Sequence, residues 1–338
     1  MIQSVYRGLL LAAAVATAAG CGSLVTADPV RVSATEHLMG VAWTITLYAP
    51  ERAAGEAAIA AGFAEARRLE RILSDYDPAS ELSRLSASAP TTTPVAIGDD
   101  LWAVLVRADE FRVATDGAFD VTVGPLTTLW RQARRSGRMP RADKFAAARD
   151  AVGGDSLVLD LAARTASLRR PGMRLDLGGI GMGYAADRVM AVLAARGIES
   201  ALVDASGDVL VSAPPPGRAG WLITVAGLGH DGDAAEPLVL AHAAVTTSGD
   251  ARQAVEIDGR RYSHVVDPRT GLGVAGPAAV SVIAADGITA DAVATAASVA
   301  GHEAGPALVG RFPGVGARFL WHDGDTTKTA VTAGWPSR

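Results

Sequence analysis

The sequence is nearly free of cysteine and has no excess of basic residues. One residue of 338 is cysteine, which excludes an internal disulfide bond. Lys and Arg total 31 against 36 Asp and Glu, for a formal net charge of −5, and this excludes the basic footprint of a nucleic-acid-binding protein. What the chain does have is a hydrophobic fraction of 49%, enough to fill the core of one large domain or two closely packed ones.

The N-terminus lacks a run long enough to span a membrane but has the features of a secretion signal. After Arg7 comes GLLLAAAVATAAG, roughly a dozen apolar residues where a membrane-spanning helix needs about 20. The small residues directly before Cys21 resemble the bacterial lipobox, in which the cysteine is acylated and becomes the mature N-terminus; the alternative is an ordinary signal peptide with an incidental cysteine. We expect an extracytoplasmic, membrane-anchored bacterial lipoprotein with a signal peptide (1–20), a lipidated tether (21–33) and a folded domain (34–338).

Periodicity in the folded part predicts both strands and helices. WTITLYAP alternates as a half-buried strand does, and ERAAGEAAIAAGFAEARRLERILS and the segment opened by Asp99 have helical spacing. A hairpin is predicted for SLVLDLAARTASLRRPG, and a hairpin turn is predicted at Asp258-Gly259. A strand, a glycine turn and a helix are predicted in that order for RLDLGGIGMGYAADRVMAVLAARG. Hairpins together with strand–helix units indicate an α+β fold with mixed sheets.

Basic residues cluster between Trp130 and Ala146. Six Arg or Lys occur within residues 131–144. A solvated loop and helix start is the favoured interpretation, and a partner-binding patch is the alternative.

The glycine turn in LDLGGIGMGYAADR is a candidate phosphate site. Its glycines stand at a strand-to-helix junction, where backbone amides and the helix dipole can hold an anion. No Gly-Lys-Ser/Thr follows, and the glycine spacing differs from the dinucleotide-binding fingerprint, so the signal is weak. Asp176 before the turn can hydrogen-bond a ligand or cap the turn.

A second candidate is the polar segment RYSHVVDPRTG. His264 and Asp267 lie close together there, between a strand and an Asp-Pro turn. From the residues alone, His264 is as well explained by a structural role as by a catalytic one, and Asp267 can simply start the turn.

The third candidate is the alanine-rich helix ITADAVATAASVAG. Asp291 and Thr295 stand four apart and so share one face of the helix. A carboxylate and a hydroxyl side by side are hard oxygen ligands of the kind that Mg²⁺ takes. The alternative is structural: Asp291 lies in the first turn, where the helix dipole favours an acidic residue, and the Thr295 hydroxyl donates a hydrogen bond to a backbone carbonyl of the preceding turn.

Joined in order, these segments resemble the ApbE-type FAD:protein FMN transferases. The resemblance runs from about Met39 to Gly301 and is carried by MGVAWTITLY, SDYDPASELSRL, TDGAFDVTVGPLTTLW, LDLGGIGMGYAADR, VDASGDVLV, TTSGDARQ, RYSHVVDPRTG and TADAVAT. It implies an ApbE-like fold of two closely packed α/β subdomains, with FAD in the cleft between them and Mg²⁺ bridging its pyrophosphate to the protein.

The resemblance also implies a set of site residues. The metal ligands would be Asp291, Thr295 and the backbone carbonyl of Gly179. For the reaction so implied, our hypothesis is that His264 is the general base and that Asp267 orients it. The residues implied in FAD binding are Met39, Tyr76, Ala118, Phe119, Asp120, Asp176, Met182 and Val265. Many members of the family have a lysine, and some an acid, where this chain has Met182, so a charged contact to FAD is absent at that position.

The implied reaction moves the FMN half of FAD onto a Thr or Ser hydroxyl of another protein, with AMP as the leaving group. Acceptors of the family carry Asp-x-x-Ser/Thr-Gly-Ala-Thr, and this chain has no Ser/Thr-Gly-Ala-Thr, so we expect a separate, extracytoplasmic acceptor protein. Two alternatives remain open: a Mg²⁺-dependent FAD pyrophosphatase that yields FMN and AMP, and a flavin-binding lipoprotein without catalysis.

Overall fold

A computed structural model describes residues 28–228, 235–249, 254–275, 278–324 and 326–336. The expected signal peptide and Cys21 lie outside the described residues. The first strand begins at Val30, so residues 30–33, which the sequence analysis assigned to the tether, belong to the fold. Across the described ranges, no helix is both long enough and apolar enough to cross a membrane.

An eight-stranded sheet forms the centre of the molecule. Its strands run in the order β1-β2-β6-β7-β10-β14-β15-β16, and every ladder between neighbours is antiparallel. The bounds are β1 Val30–Leu38, β2 Val41–Ala49, β6 Ala201–Ala205, β7 Asp208–Val211, β10 Ala243–Gly249, β14 Ala278–Ala284, β15 Gly316–Asp323 and β16 Thr326–Val331.

Long helices cover one face of this sheet. Small and branched apolar residues on α1 and α6 pack on β1, β2, β6 and β7, and α7 packs on β10 and β14. The helices are α1 Arg52–Leu73, α2 Glu81–Ala87, α3 Asp99–Ala114, α4 Gly124–Ser136, α5 Ala142–Ala151, α6 Gly181–Ala194 and α7 Gly287–Val309. The backbone of α7 kinks at Gly301, whose φ of 76° is not helical. Only glycine adopts that conformation without strain.

Smaller sheets complete the fold. They comprise β3 Val95–Ala96, β4 Leu157–Asp160 and β5 Thr165–Leu168, the pair β8 Trp221–Val225 and β9 Glu236–Leu240, and β11 Ala254–Ile257, β12 Arg260–Val266 and β13 Gly273–Ala275. β8 and β9 form a hydrophobic cluster with side chains of the large sheet. α4, α5, β11 and β12 share another cluster around Trp130 and Tyr262, whose ring centroids are 4.9 Å apart.

The α+β class predicted from the sequence is confirmed. The two long helical segments form α1 and α3, and the Asp258-Gly259 turn joins β11 to β12 with positive φ at both residues, as such two-residue turns require.

The sheets differ from the prediction in two respects. We expected mixed sheets, whereas the ladders of the described strands are antiparallel because hairpins make most of the connections. The strand expected before the glycine turn is only an isolated bridge between Val123 and Arg174, because no neighbouring strand extends it into a ladder.

Candidate functional site

A cavity of about 400 Å³ lies where the helix-covered sheet meets the α4–β12 part of the molecule. Residues of α6, α7, β7 and β10 line one side, and residues of α4, β12 and the loops after α1 and α3 line the other. This volume falls within the roughly 300–1,000 Å³ of small-molecule sites. The candidate site residues that line it are Tyr76, Ala118, Phe119, Asp120, Asp176, Gly179, Met182, His264, Val265, Asp291 and Thr295.

Three of these residues meet at one corner of the cavity. A Cβ placed on Gly179 would lie 2.7 Å from Oγ1 of Thr295, so the glycine turn approaches α7 as closely as a bare backbone allows. Asp291, one helical turn before Thr295, is 5% exposed and accepts a hydrogen bond from the Gly183 amide at 3.1 Å. Within the described part of the chain, no carbonyl accepts a hydrogen bond from the Thr295 hydroxyl, which argues against the structural alternative for this residue.

Asp208 is a further acidic residue of the cavity, which the sequence analysis did not select. It begins β7 and lines the same cavity as Asp291. Burial of its carboxyl raises the pKa of Asp208 to about 7, against a hydrogen bond from Thr246 that lowers it. Burial also raises the pKa of Asp291 well above its usual value, and the nearby Asp208 raises it further. A cation between these carboxylates would reverse both shifts.

The position of Asp291 depends on a close crossing of α6 and α7. A Cβ on Gly183 would lie 2.1 Å from the carbonyl oxygen of Gly287, so neither helix can carry a side chain there. One turn along α6, the carboxylate of Asp187 accepts hydrogen bonds from the amides of Gly287 and Ile288 at 2.7 and 2.9 Å. Asp187 therefore caps the N-terminus of α7 from the neighbouring helix, although burial raises the pKa of Asp187 to about 6.

Charged side chains form the opposite wall, around Arg131 of α4. The Arg131 guanidinium forms ion pairs with Asp75 and Asp176 and lies 4.5 Å from the centre of the Tyr76 ring. Asp176 also accepts hydrogen bonds from Thr127 and from the Gly178 amide. Tyr76 itself is 75% exposed. Asp176 is thus held by the protein, and the Tyr76 ring is open to a flat ligand.

The loop after α3 contributes its side chains in different ways. Phe119 is buried and packs edge-on against Phe111, with ring centroids 6.1 Å apart. The Asp120 carboxylate accepts hydrogen bonds from the backbone and hydroxyl of Thr122 and from the Gly154 amide. Both residues line the cavity. Because their contacts are with other residues of the protein, they hold the shape of the wall that a ligand would meet.

His264 and Asp267 are separated by the structure. His264 lies on β12, half-buried, and lines the cavity. The Asp267 carboxylate is not among the lining residues; it accepts hydrogen bonds from the Arg269 amide and guanidinium at 2.9 to 3.1 Å. No hydrogen bond joins Asp267 to His264 in the described chain, so the proposed orienting role is replaced by the turn-forming role that an Asp before Pro commonly has.

Met39 is the other candidate that the structure places outside the cavity lining. It occupies the turn between β1 and β2 with a φ of 51°, and its amide donates to Glu70 of α1 at 3.0 Å. Met39 therefore lies outside the cavity lining, and its contact with FAD stays a prediction. Met182 and Val265 do line the cavity, from the first turn of α6 and from β12.

The oxygen atoms at the α6–α7 corner fit a hard divalent cation. Among the described residues, no three His, Cys, Asp or Glu side chains converge as a metal cluster. The donors available are the carboxylate of Asp291, the hydroxyl of Thr295 and the backbone at Gly179, with Asp208 nearby. A set of oxygen ligands with few charges, open to a cavity, suits Mg²⁺, which keeps positions for water and substrate phosphates.

Fold and cavity define an α+β protein with an oxygen-lined site between helices and sheet. A model of the ApbE family matches residues 39–319, and the chain belongs to that family. The FAD:protein FMN transferase of Treponema pallidum is 32% identical over 86% of this chain and 84% of its own length, and that of Klebsiella pneumoniae is 30% identical over 97% and 96%. The structure described as the flavin transferase ApbE from Vibrio cholerae superposes with a TM-score of 0.82 at 28% identity, over 90% of this chain and 98% of that one.

Proposed function

We propose that this chain is a Mg²⁺-dependent FAD:protein FMN transferase that moves FMN from FAD to a Thr or Ser hydroxyl of an acceptor protein and releases AMP. The observation that carries the proposal is the meeting of Asp291, Thr295 and Gly179 in the cavity that His264 also lines. The name that the curated relatives bear agrees with this activity.

The metal would be held by Asp291, Thr295 and the Gly179 carbonyl. When bound, Mg²⁺ supplies positive charge that offsets the pyrophosphate and the charge that develops on the departing oxygen. Helix α6 begins at Gly181, directly after the glycine turn, and the positive end of its dipole favours phosphates in the same region.

The transfer forms one bond and breaks one. The acceptor hydroxyl oxygen bonds to the FMN phosphorus, and the bond from that phosphorus to the bridging pyrophosphate oxygen breaks, so AMP leaves with the electron pair. The hydroxyl proton passes to His264, whose imidazole lines the cavity and is a type of group that serves as a general base. Arg131 and Tyr76 shape the wall on which a flat ring of FAD would rest.

The decisive test incubates the full-length protein with FAD, Mg²⁺ and a protein bearing the Asp-x-x-Thr-Gly-Ala-Thr sequence, followed by intact mass measurement. An adduct with the mass of FMN on the acceptor, together with AMP, supports the transferase. Free FMN and AMP with an unmodified acceptor would identify a pyrophosphatase, and unchanged FAD would identify a carrier. A His264→Ala variant should lose most of the transfer rate at saturating FAD; a full rate would remove His264 as the base.

We also propose that the protein is an extracytoplasmic lipoprotein anchored through Cys21, as the N-terminal sequence indicates. Mass spectrometry of the N-terminal peptide from the membrane fraction tests this. An acylated Cys21 at the mature N-terminus is expected, and cleavage at another residue would contradict it.

A further inference from the structure

The basic segment that the sequence analysis left open lies beside the mouth of the cavity. Arg131 and Arg134 of α4 line the cavity, and Arg135, Arg138 and Lys144 continue the segment across the end of α4 and the start of α5, all exposed. We propose that this segment, residues 134–144, is the docking surface for a negatively charged face of the acceptor protein. The inference rests on the proposed transfer function.

Three cations of this segment are available to a partner. Arg141 pairs with Asp143 inside the segment. Within the described residues, Arg135, Arg138 and Lys144 form no ion pair, so their charges are exposed to a partner. Residues 131–144 hold six basic residues against one acid, in a chain whose net charge is negative, so the segment is a local reversal of sign.

The composition of the segment suits a protein partner. Met139 is 40% exposed between the cations. Arg and Met are enriched at protein interfaces. α4 and α5 also pack against the turn that follows β12: Trp130 donates to the Gly271 carbonyl at 2.8 Å, and Gly271 lies close to Phe145 and Arg149. The segment is therefore held firmly beside the wall that carries His264.

The acceptor must bring a hydroxyl to the cavity and so must rest on its rim. A negatively charged acceptor face would be attracted by the unpaired cations and guided to the mouth, an effect that shows chiefly in association rate and weakens with salt. FAD also carries negative charge, but the metal corner and the α6 N-terminus already supply its phosphates with partners on the far wall.

Two synthetic peptides test the proposal with the full-length protein. Both carry the Asp-x-x-Thr-Gly-Ala-Thr sequence; one is flanked by glutamates and the other by lysines. At low ionic strength the wild-type protein should modify the acidic peptide with a kcat/KM about tenfold above that of the basic peptide, and salt should reduce the difference. The double variant Arg135→Glu/Arg138→Glu should lose or invert the preference, with FAD affinity, measured by flavin fluorescence, within about twofold of wild type.

The matched control reverses two other unpaired, exposed arginines that do not line the cavity, Arg196 and Arg218. Arg196→Glu/Arg218→Glu changes the net charge equally and should keep the wild-type preference. Equal preferences in all three proteins, or the same loss in both variants, would overturn the proposal. So would weaker FAD binding by Arg135→Glu/Arg138→Glu alone, or a loss of binding to anionic phospholipid vesicles with an unchanged peptide preference. If the wild type modifies neither peptide while cleaving FAD, the transfer function itself fails.

Discussion

Asp291 is a buried carboxylate that accepts one hydrogen bond from the described part of the protein. One oxygen accepts the Gly183 amide, and the residue borders the cavity beside Thr295 and Asp208. Burial and the neighbouring Asp208 raise the pKa of Asp291, so an ionised Asp291 destabilises the metal-free protein near neutral pH. Such a residue is explained by a ligand that the fold leaves room for, since a purely structural role would favour asparagine.

Asp291→Asn separates the binding role of this residue from folding. The amide oxygen can still accept from Gly183, and the neutral side chain removes the cost of the buried charge. We therefore expect a metal-free melting temperature equal to or above that of the wild type, while the transfer rate falls by on the order of a hundredfold. Mg²⁺ should raise the melting temperature of the wild type but not of the variant.

The control for this variant is Ser298→Ala, which removes a hydroxyl about two turns further along α7, where Ser298 donates a long hydrogen bond to the Ser248 carbonyl at 3.4 Å. It should respond to Mg²⁺ as the wild type does. A Mg²⁺ response retained by Asp291→Asn would remove this residue from the metal site.

At the scale of elements, the crossing of α6 and α7 sets the geometry of the site. Gly183→Ala would place a methyl group 2.1 Å from the Gly287 carbonyl oxygen and 2.9 Å from the Asp291 Cβ. The helices must move apart, so we expect a loss of about 1–3 kcal/mol in unfolding free energy and weaker Mg²⁺ binding. Chemical denaturation and metal titration measure the two effects.

Gly181→Ala is the matched substitution, since its Cβ would meet only the Leu177 Cβ at an ordinary 3.4 Å. Its stability should equal or exceed that of the wild type, because alanine is the better helix former. If Gly183→Ala were as stable as the wild type, the crossing of α6 and α7 would accommodate a methyl group, which would contradict this prediction.

The cap that Asp187 provides to α7 makes a pH-dependent contribution. Burial raises the pKa of Asp187 from 3.8 to about 6 in the folded protein, so the folded state binds the proton more tightly than the unfolded state does. The stability that the raised pKa of Asp187 confers is therefore greatest below pH 3.8 and is lost as the pH rises through about 6.

Asp187→Asn tests this sign. The stability of the wild type relative to the variant should fall between about pH 4 and pH 7, by up to about 3 kcal/mol, as measured by urea denaturation across the range. A relative stability that rises over the same interval would mean that the amides of Gly287 and Ile288 hold the ionised carboxylate in preference to the protonated one.

At the scale of the whole molecule, the sequence pattern predicted helices and turns better than it predicted the tertiary contacts between them. The periodicity of α1 and α3 and the turn chemistry of Asp258-Gly259 are properties of neighbouring residues, so the sequence predicts them. β1 escaped detection because only Val32 and Leu38 along it are buried, as expected for a strand at the sheet edge.

The same distinction applies to the site. The i, i+4 spacing of Asp291 and Thr295 is visible in one helix, and the glycine turn is visible in one loop. Asp208 and Arg131 line the cavity only because the fold brings β7 and α4 to it. No residue spacing in the sequence indicates that these two side chains lie at the site. Asp267 shows the converse: its closeness to His264 along the chain does not bring the two side chains together.

The central claim is that Asp291, Thr295 and the Gly179 carbonyl hold a divalent cation against the FAD pyrophosphate. Diffraction from crystals soaked with Mn²⁺ and FAD, with the anomalous signal of manganese, tests it most directly. The account predicts an anomalous peak about 2.1 Å from the Asp291 and Thr295 oxygens, bridged to a phosphate oxygen. A peak elsewhere, or FAD bound with its phosphates far from α7, would contradict it.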